Sequence, residues 1–159
     1  MVSWLVQVGK ANVEVAHTDG MTPLYVAAQE GHVEVVQVLV QAGKASVNSA
    51  RDDGATPPYI AAQQGHVGVV LWLVQVGKAN VEVAHTDGMT PLYVAAQEGH
   101  VEVVQVLMQA GKAKVNSARD DGATPLFIAA HNGHGGCTSL PGRAMWRWCR
   151  CSCKWARQR

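Results

Sequence analysis

Cysteine is absent from the first 136 residues, and all four copies (Cys137, Cys149, Cys151, Cys153) sit in the last 23. Acidic residues are absent from the opposite part: residues 135–159 hold six Lys/Arg and no Asp or Glu. Residues 1–134 carry seven Lys/Arg against twelve Asp/Glu, so the overall charge of +1 conceals two unlike segments. Aromatic residues make up only 6% of the chain, with a single phenylalanine. No apolar run is long enough for a membrane-spanning helix. Met1 opens directly into repeat-like sequence, so no signal peptide is expected and the chain reads as intracellular, in the cytoplasm. The serines follow no G-x-S-x-G pattern and no glycine loop suits a phosphate, which argues against an enzyme. At 159 residues, one domain with a continuous core is the expectation.

What the chain has in quantity is repetition. Thr-Pro recurs at Thr22-Pro23, Thr56-Pro57, Thr90-Pro91 and Thr124-Pro125, at a spacing of 34 residues. Ala-Ala follows at Ala27-Ala28, Ala61-Ala62, Ala95-Ala96 and Ala129-Ala130. Gly-His follows at Gly31-His32, Gly65-His66, Gly99-His100 and Gly133-His134. A fixed period of this size signals a solenoid, in which each unit buries its apolar face on its neighbours.

Within residues 19–52, Asp19-Gly20 is a turn signal, Thr22 a candidate N-cap, and Pro23 suits a first helical position. A short helix is expected from Pro23 to Glu30, stopping at Gly31. The valine-rich stretch from Val33 to Gln41 could pass for a strand. Its polar residues Glu34, Gln37 and Gln41 are three and four apart, which is helical spacing, and alternation fails at Val35-Val36. Gly43 is expected to close this helix, and the stretch from Lys44 to Asp53 to form an extended finger.

This helix–turn–helix–finger unit resembles the ankyrin repeat. The family's Thr-Pro-Leu-His-x-Ala-Ala appears as Thr22-Pro23-Leu24-Tyr25-Val26-Ala27-Ala28, and its Gly-His-x-x-x-Val-x-x-Leu runs from Gly31-His32 through Val36 and Leu39. The finger's Val-Asn appears at Val47-Asn48 and Val115-Asn116. The resemblance covers residues 4–134 and implies an all-α solenoid. There are departures. Tyr25, Tyr59, Tyr93 and Phe127 replace the motif histidine, so its usual bond to the threonine hydroxyl cannot form. The unit is 34 residues long where about 33 is usual, with the extra residue after the second helix. Pro58 stands where a core leucine is usual and is expected to leave its layer underfilled.

A longer period overlies the first. Residues 4–66 and 72–134 align at an offset of 68 with six differences, so the unit is a pair of repeats, doubled. The layout expected is a half repeat at 1–18, full repeats at 19–52, 53–86 and 87–120, and a half repeat at 121–134. The first helix of the last copy has no second helix after it, so fraying and self-association are expected at that end, around Val101–Met108.

The tail is best explained by the genetic code. A further repeat, Leu-Tyr-Val-Ala-Ala-Arg-Glu-Gly-His-Val-Glu-Val-Val-Gln-Val-Leu-Val-Gln-Val-Gly-Lys-Ala-Lys-Val-Asn, can be written in codons that, read one nucleotide later, give Cys137 to Arg159 residue for residue and then a stop. Residues 135–159 are therefore expected to be an out-of-frame repeat, poorly ordered on this scaffold. The rival reading is a metal or nucleic-acid site built from Cys149, Cys151, Cys153 and the Arg/Trp residues. Structural zinc sites, however, usually pair Cys-x-x-Cys with a second pair or with histidines.

The remaining candidates have plain explanations. His32, His66, His100 and His134 lie one repeat apart and cannot converge on one ion, which points to structural hydrogen bonding. His17 and His85 read as exposed loop residues, and Asp52-Asp53 and Asp120-Asp121 as turn formers. No catalytic residue, metal ligand or cofactor is expected, nor a nucleic-acid, membrane or small-molecule partner. The unfinished repeats at both ends read as a fragment of a longer array, the alternative being a truncated product with no selected function. The resemblance implies a protein–protein interaction module meeting its partner with the fingers and first helices. On this sequence those positions are Ala16, Thr18, Asp19, Met21, Gln29 and Glu30 in one repeat. In the next they are Ala50, Asp52, Asp53, Ala55, Gln63 and Gln64, and in the third Ala84, Thr86, Asp87, Met89, Gln97 and Glu98. Such a face holds few of the Trp, Tyr or Arg anchors that concentrate binding energy.

Overall fold

A computed structural model describes residues 1–134; the tail, with its expected disorder and its Cys149, Cys151 and Cys153, lies outside the described residues. Among the described residues are eight helices and no strand. They run α1 (Val2–Gln7), α2 (Pro23–Gln29), α3 (Val33–Gln41), α4 (Pro57–Gln63), α5 (Val67–Gln75), α6 (Pro91–Glu98), α7 (Val101–Gln109) and α8 (Pro125–His131).

Each Thr-Pro starts a helix, as its chemistry requires. The Thr22 hydroxyl accepts from the Tyr25 N–H at 3.2 Å, and Thr56, Thr90 and Thr124 do the same for Tyr59, Tyr93 and Phe127. Proline follows at the first helical position, where its lack of an N–H costs nothing. The valine-rich segments are helices, with Val36 and Leu39 of α3 buried and Glu34 and Gln41 exposed. Val is a weak helix former, by roughly half a kcal/mol per residue against Ala, so tertiary burial carries these segments.

The helices stack in two layers. The first helices of the repeats form one column (α2 on α4 on α6 on α8), and the second helices form the other (α1 on α3 on α5 on α7). Burial rises toward the middle of the stack. The central helix α5 buries four residues (Val69, Val70, Leu73, Val74), α3 and α7 bury two each, and α1 buries none. In the first-helix column α4 and α6 bury six each and α8 only Pro125. A helix gains its core from the repeats on both sides, as expected of a quasi-one-dimensional stack.

Histidines tie the layers together. His66 Nε2 lies 2.9 Å from the Gln29 carbonyl oxygen, His100 Nε2 3.0 Å from that of Gln63, and His134 Nε2 2.8 Å from that of Gln97. Each ring lies against the glycine ending the first helix of the preceding repeat. A Cβ on Gly65, which has φ +77°, would come within 2.8 Å of the His100 ring. The inter-repeat loops are clasped as well, in a pattern that alternates with the 68-residue period. Glu14 accepts from the Ser46 N–H and the Ser49 hydroxyl, and Glu82 from the Lys114 N–H and the Ser117 hydroxyl. Between them Asn48 accepts from the Asn80 N–H at 2.8 Å.

One expectation is corrected. Gly43 does not supply the left-handed turn after α3; Lys44 does, with φ 61°, as do Lys10, Lys78 and Lys112 in the other copies. That turn directs the Ala45 N–H back to the Leu39 carbonyl at 3.0 Å. Gly43 is needed for space, since a Cβ there would lie 2.6 Å from the Leu39 carbonyl oxygen and 2.7 Å from Val13. Pro58 is fully buried in its layer. An open apolar recess of about 660 Å³ lies at the N-terminal end of the stack, among α1, α2 and α3.

Candidate protein interaction face

The fingers are short turns with pinned tips. The His17 N–H donates to the Met21 carbonyl at 2.9 Å and the Arg51 N–H to that of Ala55 at 2.8 Å; His85 with Met89 and Arg119 with Ala123 repeat the bond. Inside each turn an aspartate accepts from the backbone two residues on, as Asp53 does from the Ala55 N–H at 3.0 Å. Asp19, Asp87 and Asp121 do the same for Met21, Met89 and Ala123. This is the Asx geometry that Asp favours in turns. Adjacent fingers are joined where the Thr86 N–H donates to the Asp53 carbonyl at 3.0 Å. The tips are thus held in register along one side of the solenoid.

Most of the expected contact residues reach solvent. Ala16, Thr18, Asp19, Glu30, Ala50, Asp52, Gln64, Ala84, Thr86 and Glu98 are exposed. Met21, Gln29, Asp53, Gln63, Asp87, Met89 and Gln97 are partly buried. Ala55 has to be withdrawn from the surface set. It is only 2% exposed, its methyl group joins the core, and its backbone closes the finger turn.

Sequence reading missed a row of Arg and His finger residues seated on the aromatic column. Arg51 lies over the Tyr25 ring at 5.8 Å and Arg119 over Tyr93 at 5.9 Å. Between them His85 stacks on Tyr59, with ring centroids 5.4 Å apart. His85 also bridges two fingers, with Nδ1 2.7 Å from Asp87 and Nε2 3.5 Å from Asp53. The exposed-loop reading therefore fits His17 but not His85, whose side chain is mostly covered. The family's histidine position has been put to another use: with tyrosine there, the helix backbone still bonds the threonine, and the ring supports the finger. The signal available was the common 34-residue spacing of Tyr25, Tyr59 and Tyr93 with Arg51, His85 and Arg119.

The electrostatics follow from these contacts. Burial tends to raise the Asp53 carboxyl, but the Ala55 N–H, the paired Arg51 and the nearby His85 hold it below the usual carboxylate range. The Arg119 hydrogen bond and the Ala123 N–H do the same for Asp121. The face keeps these anions charged through the physiological range. Burial pushes the Tyr59 hydroxyl up to about 12, with Asp87 and Asp53 adding to the shift. A folded-state value above the unfolded one, about 10, favours folding below pH 10 and loses that contribution as pH rises toward 12. Urea unfolding from about pH 9 to pH 12 should show this loss, and Tyr59→Phe should remove about 2 kcal/mol of it. An unchanged alkaline slope in that variant would refute the assignment.

Among the described residues no helix is long and apolar enough to cross a membrane. A comparison with curated proteins finds no match. The family model for ankyrin repeats, in three copies, matches residues 1–85 and 76–140. Ankyrin repeats are generally protein–protein interaction modules. With paired helices, pinned fingers and a family match spanning most of its length, the chain belongs to the ankyrin-repeat family.

Proposed function

We propose that the chain is a non-catalytic interaction module in the cytoplasm that receives a protein partner on its finger and first-helix face. The observation carrying this reading is the register of the finger tips. Successive tips present exposed Thr18, Asp52 and Thr86 on turns whose backbones are already hydrogen-bonded. A pre-ordered surface lowers the entropy cost of association, which matters where large anchor residues are few.

The test is a panel of binders selected against the chain from a displayed peptide or miniprotein library. Thr18→Arg, Asp52→Arg and Thr86→Arg, combined in one variant, should weaken most of the panel at least tenfold, or about 1.4 kcal/mol. Glu34→Arg with Glu102→Arg, on the second-helix column, should leave it within about twofold. The opposite pattern would move the binding face to the other layer.

A further inference from the structure

The two ends of the described solenoid are complementary halves of one repeat. At the N-terminal end α1 is a second helix without a first helix beside it among the described residues. The recess it leaves is lined by Val2, Val15, Pro23, Val26, Val35 and Leu39. At the other end α8 is a first helix with no second helix among the described residues.

The exposed positions divide between the ends in the way this predicts. Val26 is 43% exposed, whereas its counterparts Ile60 and Val94 in the interior repeats are buried. Leu5 is 52% exposed, whereas Leu39, Leu73 and Leu107 are buried. On α8, Leu126 and Phe127 are 53% and 59% exposed, whereas Leu24, Leu92, Tyr25, Tyr59 and Tyr93 are buried. The rings equivalent to Phe127 are covered, inside the stack, by finger residues of the following repeat, as Arg51 covers Tyr25 and His85 covers Tyr59. The numbering agrees as well. The 68-residue alignment sets His134 level with His66 and Met1 level with Val69. Residues 121–134 followed by residues 1–18 therefore spell a whole repeat, short only of the positions of Val67 and Gly68.

We infer that copies of this chain associate head to tail, with α8 of one copy entering the N-terminal recess of the next while α1 of that copy packs on α8 and α7 of the first. The composite repeat continues both helix columns across the junction, using the contacts α4 makes with α2 and α6, and α5 with α3 and α7. The two surfaces in contact differ, so the interface is heterologous and leaves a free end on each side; assembly is open-ended rather than a closed dimer. It involves the ends of the solenoid, not the finger face, and stands or falls independently of the proposed function.

The experiment is sedimentation equilibrium on the full 159-residue chain across a wide concentration range, with two single-end variants, Val26→Glu and Phe127→Glu. Both residues are exposed, so helix content by circular dichroism should match wild type; Leu5→Glu provides a second block at the N-terminal end. The average mass of wild type should climb past dimer as concentration rises, and each variant alone should stay monomeric. An equimolar mixture of the two should form a 1:1 dimer and nothing larger, because one sound junction remains. A wild type that stays monomeric or stops at a closed dimer overturns the inference, as does a mixture that fails to pair.

Discussion

Replacing Leu73 by alanine is expected to lower the unfolding free energy by about 3–4 kcal/mol, within the range for fully buried leucines that leave a cavity. The same change at Leu5, one of the three positions equivalent to Leu73 in other repeats, should cost less than about 1 kcal/mol. The two residues share a place in the repeat and a nearly identical local sequence (Trp4-Leu5-Val6 and Trp72-Leu73-Val74). They differ in neighbours. Leu73 is wholly buried between repeats on both sides, while Leu5 is half exposed on the terminal helix. Equal losses in chemical denaturation would mean that stability resides within each repeat rather than between them.

A second large effect is expected at the glycine–histidine contacts. Gly65→Ala places a methyl group in a left-handed backbone, at a cost of about 1–2 kcal/mol. It also drives that methyl to 2.8 Å from the His100 ring. The ring must then leave the Gln63 carbonyl, losing a hydrogen bond worth about 1 kcal/mol. The total should be about 3 kcal/mol. In a His100→Ala background the same Gly65→Ala change should cost only the backbone part, because nothing is left to displace. Additive losses in that double-mutant cycle would separate the glycine from the histidine and remove the contact as an inter-repeat tie.

Local chemistry made much of the molecule legible from sequence. Thr22-Pro23 begins a helix whatever surrounds it, and α2 and α3 lie within a residue of their expected limits. The polar spacing of Glu34, Gln37 and Gln41 was enough to favour helix over strand in a segment whose valines argue the other way. The histidine spacing pointed to structural hydrogen bonding, which the Gln29, Gln63 and Gln97 carbonyls provide for His66, His100 and His134, while His32 in the first of these turns is exposed. What escaped were relations between residues a repeat apart. Composition shows that Gly43 is permissive; only the packed chain shows that Val13 crowds it while Lys44 takes the left-handed turn. Ala55 reads as a small finger residue, yet its methyl is in the core. His85 reads as a loop residue, yet Tyr59 below and Asp53 beside it come from the preceding repeat. The spacing of the finger residues is periodic, but which ring or carboxylate each one meets emerges only once the stacking is known.

The most direct measurement of mutual burial is native-state amide hydrogen exchange in dilute solution, where copies are apart. Protection should be greatest in α4, α5 and α6, and fall off toward α1 on one side and α8 on the other, following the count of buried residues per helix. If the amides of α8 exchange as slowly as those of α4, neighbouring repeats are not what holds each helix in place.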